Sequence, residues 1–465
     1  MGIGALDYKK GGESLEINGI IQDYYVYAGE NVNAGDFVEF VQGVARKEMV
    51  ESSDTVIMES ANAAKKSIHS VLLTSNTVFI AYNNNDGYLR GIVCTIEGAS
   101  ITPGTSVTIK SSSYADTGVS IAKLSNTKVF VTYCDDTQGH LNAAICTIDG
   151  NVITVAATKP QISAGTYAGD IASAVALSST KVFVAHSYGS SSGKKLRGVV
   201  CTISGTTITV GTDTTLSDTT YTGNVISVVK LTNTSVFIAH GYSSSDYLYG
   251  MVCIIDGTTI TAGTDKKIIG TSDTGLRISA VAINSTSVFI AHSKNGYIGG
   301  IVCTIDGTTI TAGTDVTLFT SAGNSLERTP SVALLSGNRV FVSCGAPTAD
   351  YYLQGIVVLV DGTTITPGEL TLLDATDSAG YNTSTIVMEE DKVFIAHSKT
   401  AKYYLYANLF SADNMTIYNG MPITTYETQV RTAKSTPCNG LAKTGGIGGT
   451  SSGHNEQVSI YVPNI

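Results

Sequence analysis

Residues 226–264 read ISVVKLTNTSVFIAHGYSSSDYLYGMVCIIDGTTITAGT, and this stretch decides the fold. It holds four runs rich in β-branched and aromatic residues, Ile226–Leu231, Ser235–Tyr242, Leu248–Ile255 and Thr259–Thr264, each followed by turn residues. The first hairpin is expected to turn through Thr232-Asn233-Thr234 and the third through Asp256-Gly257, a dipeptide that type I′ turns favour. Val236-Phe237-Ile238-Ala239 and Met251-Val252-Cys253-Ile254-Ile255 are apolar at successive positions, so both faces of these strands should be buried. One meander cannot cover both of its own faces. It needs a neighbour on each side.

The sequence supplies those neighbours. A Val-Phe-(Ile/Val) motif recurs with its phenylalanine at 79, 130, 183, 237, 289, 341 and 394, at spacings of 51, 53, 54, 52, 52 and 53 residues. Six residues before each Phe stands an aliphatic side chain: Leu73, Leu124, Leu177, Leu231, Ile283, Leu335 and Met388. Seven in-phase copies of a four-stranded unit predict an all-β fold, a seven-bladed β-propeller over residues 60–426. A β-solenoid would need shorter repeats. The chain has no Trp, which removes WD-repeat and Asp-box propellers, and it lacks the Gly-Gly signature of Kelch repeats.

Composition agrees with this reading. Charged residues make up 14% of the chain, against about 25% in an ordinary globular protein, while Gly (48), Tyr (24), Ser, Thr and Asn are abundant. The net charge of −10 and the lack of any basic run argue against nucleic acid or an anionic membrane as partner. No apolar run reaches the ~18 residues of a membrane span, and the N-terminal residues lack a secretory signal. The expected place of synthesis is a cytosol.

The flanks, residues 1–59 and 427–465, lie outside the repeat, and neither is expected to bury a core alone. A closed propeller brings its ends together, so the flanks are expected to form two halves of one small β-domain. The phrase AGENVNAGDFVEFV (residues 28–41), paired with GLAKTGGIGGTSSGHNEQVSIYVP (residues 440–463), resembles the small β-barrel proteins of tailed-bacteriophage particles, which serve as head decorations or as tail and fibre anchors. The resemblance covers about a fifth of the chain. It implies a virion protein that docks on capsid or tail proteins through residues 1–59 and 427–465 and sits at the virion surface.

Several repeat positions carry chemistry-bearing residues. His186, His240, His292 and His397 share one second-strand position, which Tyr82, Tyr133 and Cys344 fill elsewhere. Ligands of one metal sit about 2 Å from it, whereas equivalent points on adjacent blades should lie roughly 9–10 Å apart, so these residues are expected to bond a neighbouring blade's backbone instead. Cys94, Cys146, Cys201, Cys253 and Cys303 share a third-strand position that Val358 and Phe410 occupy in other copies, the mark of an apolar filler and of free, buried thiols. Ser120, Ser173, Ser227, Ser279, Ser331 and Ser384, with His69, line the innermost strand, and are expected to cap crowded backbone groups there rather than ring a channel. No Ser has a His–Asp partner in phase with the repeat. Neither metal nor cofactor is expected.

The connections between second and third strands vary most between copies and end in an aromatic residue at Tyr88, His140, Tyr247, Tyr297, Tyr352 (preceded by Tyr351) and Tyr404, with Lys195 the exception. Variable loops on a rigid scaffold are where binding is usually placed, and Tyr among Asn, Asp and Ser suits stacking on sugars and hydrogen bonding to their hydroxyls. The alternative is that these rings only cover the hairpin edge. The expectation is a non-enzymatic virion protein whose propeller attaches to host-surface glycan. One rival is a purely structural capsid or tail decoration. Another is a polysaccharide-degrading enzyme, which needs a carboxylate pair astride a cleft.

Overall fold

The Val-Phe-(Ile/Val) strand lies between two antiparallel partners in all seven copies. In the fourth, Ser235–Tyr242 pairs with Ile226–Thr232 on one side and with Tyr247–Asp256 on the other. In this computed structural model the described residues between 55 and 412 exclude 59–66, 84–87, 112–118, 135–138, 165–170, 190–193, 219–225, 243–246, 271–273, 295–296, 321–328, 346–351, 375–378, 390–391 and 400–403; outside that range they are 19–25, 31–32, 37–41, 44–47, 440–442, 446–447 and 457–463. The repeats form seven sheets, blades 1 to 7 in chain order, each four strands wide. The fold is an all-β, seven-bladed propeller. The fourth strand of the seventh copy, expected after Asp413-Asn414, lies outside the described residues.

Two local details differ from the expectation. The third hairpin closes one residue later, because Asp256 pairs with Thr259 and leaves Gly257 and Thr258 as the turn. Gly257 has φ of +60°, and among the described non-glycine residues only Asn338 has a positive φ. A β-branched Thr resists φ > 0, so the turn takes the II′ pattern with glycine first instead of type I′. The fourth strand is also split. Thr259–Ala262 pairs with Cys253–Asp256, and Lys266–Ile269 pairs with Leu248–Gly250. The break falls at Gly263, whose N–H donates to Val252 O at 2.8 Å. A Cβ there would stand 2.7 Å from that oxygen and 2.9 Å from Thr308 of the next blade.

Alternation along the strands gives each blade two buried faces. In blade 4, Val236, Ile238, Met251 and Cys253 pack on Phe183, Leu196, Val200 and Leu216 of blade 3. The opposite face, with Phe237, Ala239 and Val252, packs on Val288, Ile290 and Ile301 of blade 5. The ring closes through Phe394 and Leu405 of blade 7 packed with Ile80, Tyr82 and Ile92 of blade 1.

The strand Thr55–Met58, which the sequence places in the N-terminal flank 1–59, belongs to this closure. It pairs with Leu405–Ala407 of blade 7, in the register that Lys266–Ile269 occupies in blade 4, and buries Ile57 in the blade 7–blade 1 core. A four-residue half-strand carries none of the repeat's signature, so nothing in the sequence marks it.

The chain divides into two compact units, 51–412 and a second built from 1–50 with 413–465. In the second, the two flanks share one sheet. Gly19–Tyr25 runs antiparallel to Gln457–Pro463, from Gly19 opposite Pro463 to Tyr25 opposite Gln457. Gly440–Ala442 joins Gln457–Pro463 to Phe37–Val41, which pairs onward with Val44–Lys47. Asn31–Val32 pairs with Gly446–Ile447.

Candidate functional site: the grooves at the loop end of the propeller

The second and third strands of each blade meet at the same end of the propeller, so the repeat brings the loop-end residues into one ring. Tyr88, His140, Tyr247, Tyr297, Tyr352 and Tyr404 all sit at the start of a third strand and are half-buried, while Lys195 is exposed. Tyr351 and the loops themselves lie outside the described residues. In blade 4, Tyr247 and Tyr249 alternate onto the face that carries Met251 and Cys253, which is the face packed on blade 3. The row therefore lines the grooves between consecutive blades.

The floor of these grooves holds what sequence reasoning missed. His186, His240 and His292 are fully buried, and each places Nε2 against a carboxylate of its own blade: Asp213 at 3.1 Å, Asp265 at 3.0 Å and Asp315 at 2.9 Å. The expected partner was a neighbouring blade's backbone. The split fourth strand explains the difference, because the break at Gly-Thr-Asp (211–213, 263–265 and 313–315) turns the Asp back over the second strand. The neighbouring blade enters one bond further on: Ser163 Oγ of blade 2 donates to Asp213 at 2.7 Å, and Ser217 Oγ of blade 3 to Asp265 at 3.2 Å. Copies without His differ at the Asp position too, since in blade 1 the Tyr82 hydroxyl bonds Ser106 Oγ at 2.7 Å. His397 bonds Asn408 at 2.6 Å. The paired change, His with Asp in blades 3 to 5 and neither in blades 1 and 2, was visible between the copies and would have exposed the link.

Burial alone would raise the Asp213 pKa, but hydrogen bonds from His186 and Ser163 and the Arg197 charge hold it below its ordinary value. Arg197 donates to the Asp213 carbonyl at 2.7 Å and lies over the Tyr188 ring at 4.3 Å. In blade 4, burial and the nearby Asp265 carboxylate push the Tyr249 phenol up. The chain Ser–Asp–His puts the carboxylate in the middle, whereas a nucleophilic triad needs the imidazole between Ser and Asp. These groups are joints between blades, not an activated nucleophile.

The inner strands confirm the capping role of serine. Ser120, Ser173, Ser227, Ser279 and Ser331 each accept a bond from a backbone N–H of the following blade's first strand, that of Ala174, Val228, Ala280, Val332 or Thr385, at 2.9 to 3.3 Å. Ser384 closes the series on Ser70 N at 2.8 Å. The five equivalent cysteines are free and buried, and burial pushes their thiols up to about 12.

No protein-family model matches the chain, and no curated protein matches it either. Among solved structures it is similar to the ulvan lyase of polysaccharide lyase family PL25, at 7% identity over 78% of this chain and 96% of that one, with a TM-score of 0.51. It also matches the six-bladed fucose-recognising lectin of Aleuria aurantia (13% identity, 69% and 98% of the two chains, TM-score 0.44) and AofleA from Arthrobotrys oligospora (11%, 75% and 91%, 0.44). The likeness is one of fold.

Proposed function

We propose that the chain is a non-catalytic attachment protein of a tailed-bacteriophage particle. Residues 1–50 and 413–465 form a small β-barrel-like domain that docks on capsid or tail, and the propeller is displayed to hold polysaccharide on the host surface. The observation that carries the glycan reading is the ring of half-buried aromatics, present in six of seven copies at the mouths of the inter-blade grooves. A half-buried tyrosine beside hydrogen-bonding groups offers one ring face for stacking on a sugar, and a rigid ring of such sites at low entropic cost. The virion reading is supported by the resemblance of the flanks and by their pairing into a common sheet. The non-catalytic reading is supported by the half-buried carboxylates Asp213, Asp265 and Asp315, which are engaged by histidines, with Asp213 held in its charged form; hydrolysis by a carboxyl pair needs one carboxyl kept protonated opposite a charged one.

The test is retention of the full chain on host cells and on cells stripped of surface polysaccharide. The chain should be retained on the first and lost from the second. A variant with alanine at Tyr88, His140, Tyr247, Tyr297, Tyr352 and Tyr404, checked for an unchanged β-sheet spectrum, should lose retention; undiminished retention of that folded variant refutes the site.

A further inference from the structure

Blades 1 and 3 place an arginine at the same third-strand register, Arg90 opposite Tyr82 and Arg197 opposite His186. Blade 3 shows what this register does beside a carboxylate. Arg197 Nε lies 3.2 Å from Asp213 Oδ1, and Nη2 donates to the Asp213 carbonyl at 2.7 Å. Blade 1 has Ser106 where blade 3 has Asp213. Each stands two residues after the glycine that breaks the fourth strand, Gly104 or Gly211, whose N–H donates to Val93 O at 2.8 Å or to Val200 O at 3.0 Å. Ser106 Oγ is engaged by the Tyr82 hydroxyl at 2.7 Å. The half-buried Arg90 side chain has no hydrogen bond or ion pair among the described residues.

Arg90 alternates with Ile92 and Cys94, which pack on Phe394 and Leu405 of blade 7, so it stands in the groove between blades 7 and 1. The half-buried Tyr88 lies two residues before it on the same face. Packing does not call for arginine here, because blades 2, 5 and 6 place Asn142, Gly299 and Gln354 at this register and need no long aliphatic stem to cover the groove. A guanidinium taken partly out of water costs free energy unless an anion meets it. Burial pushes the Tyr82 phenol up; its bond to Ser106 and the Arg90 charge work the other way, so the guanidinium acts on that buried hydroxyl. Blade 1 keeps the cation of blade 3 and omits the anion. A guanidinium matches a carboxylate through two parallel N–H bonds, and a carboxylate is what blade 3 sets against this register.

We infer that the groove between blades 7 and 1 binds the carboxylate of an acidic sugar unit on Arg90, the ligand supplying the anion that Asp213 supplies within blade 3. The inference rests on the glycan-attachment reading and names its ligand class. The net charge of −10 opposes a dense polyanion, so the occupant is a glycan in which acidic units recur among neutral ones.

Binding of the full chain to host-surface polysaccharide, as isolated and after chemical reduction of its carboxyl groups to alcohols, tests it. Reduction should raise the half-saturating concentration about tenfold or more, the worth of a hydrogen bond to a charged group. Arg90→Met on the untreated polysaccharide should do the same. That variant keeps the stem and removes an unpaired charge, so its thermal unfolding should match that of the unaltered chain. Ser106→Asp, which copies blade 3, should weaken binding as well by supplying the carboxylate from within. Binding that survives carboxyl reduction, whether neutral units or phosphodiesters then carry it, overturns the inference and leaves glycan attachment standing. Undiminished binding by folded Arg90→Met or folded Ser106→Asp does the same. Absence of binding to the untreated polysaccharide overturns both.

Discussion

Asp265 accepts a hydrogen bond from the fully buried Nε2 of His240 at 3.0 Å, and its other oxygen accepts from Ser217 of the preceding blade at 3.2 Å. One carboxylate thereby fixes a core histidine within its blade and joins that blade to the next. Asp213 does the same for His186 and Ser163.

Removing the carboxylate strands a buried donor. Asp265→Ala should destabilise the propeller by about 1–3 kcal/mol, the usual cost of leaving a buried polar group unsatisfied. His240→Phe combined with Asp265→Ala should recover part of that loss, because the orphaned group is then gone. Urea unfolding of the three variants measures it, and equal stabilities for the original and Asp265→Ala would show that the link contributes nothing.

The inner-strand position gives a pH signature. His69 stands where six blades place serine, and burial lowers its pKa from 6.5 to about 4. The folded chain therefore binds fewer protons at this site than the unfolded one between those values. Its contribution is intact above pH 6.5 and is lost as the pH falls toward 4. Asp213, whose pKa is held below its ordinary 3.8, contributes stability above that pH and loses it on further acidification. His69→Ser should flatten the loss between pH 6.5 and 4 relative to the unaltered chain and leave the steeper acid loss in place. Thermal unfolding across that range reads the difference; parallel curves would contradict it.

The closing strand makes a third point accessible. Ile57 is 5% exposed and packs where blade 7 meets blade 1. Ile57→Ala should cost about 2–5 kcal/mol, the range for truncating a buried aliphatic side chain. Val56→Ala, on the exposed side of the same strand, should cost far less. Hydrogen exchange at Leu405–Ala407 should quicken in the first variant and not in the second.

The blades were legible because periodicity is set by burial. A strand with neighbours on both faces must be apolar at every position, and Val236-Phe237-Ile238-Ala239 repeats that demand in every copy. The serine caps were legible for a related reason, since a short hydroxyl at that position of six inner strands reaches the backbone N–H of the next blade. The His–Asp link was not, because its two ends lie 23 to 27 residues apart on different strands and meet only once Gly211, Gly263 or Gly313 breaks the fourth strand. Thr55–Met58 was hidden by its length and by its distance in sequence from the blade it completes. The loop-end aromatics were identified as a row, but what surrounds each one depends on the residue two positions later, Tyr249 or Tyr406 against Arg197 or Gly299, each paired with a fully buried histidine.

The central claim is that the propeller holds a surface polysaccharide and leaves it intact. Incubating the full chain with purified polysaccharide from the host surface, while following both bound protein and new reducing or unsaturated ends, tests this most directly. The account predicts saturable retention with no new ends released. Absence of retention, or release of new ends in step with protein concentration, would contradict it.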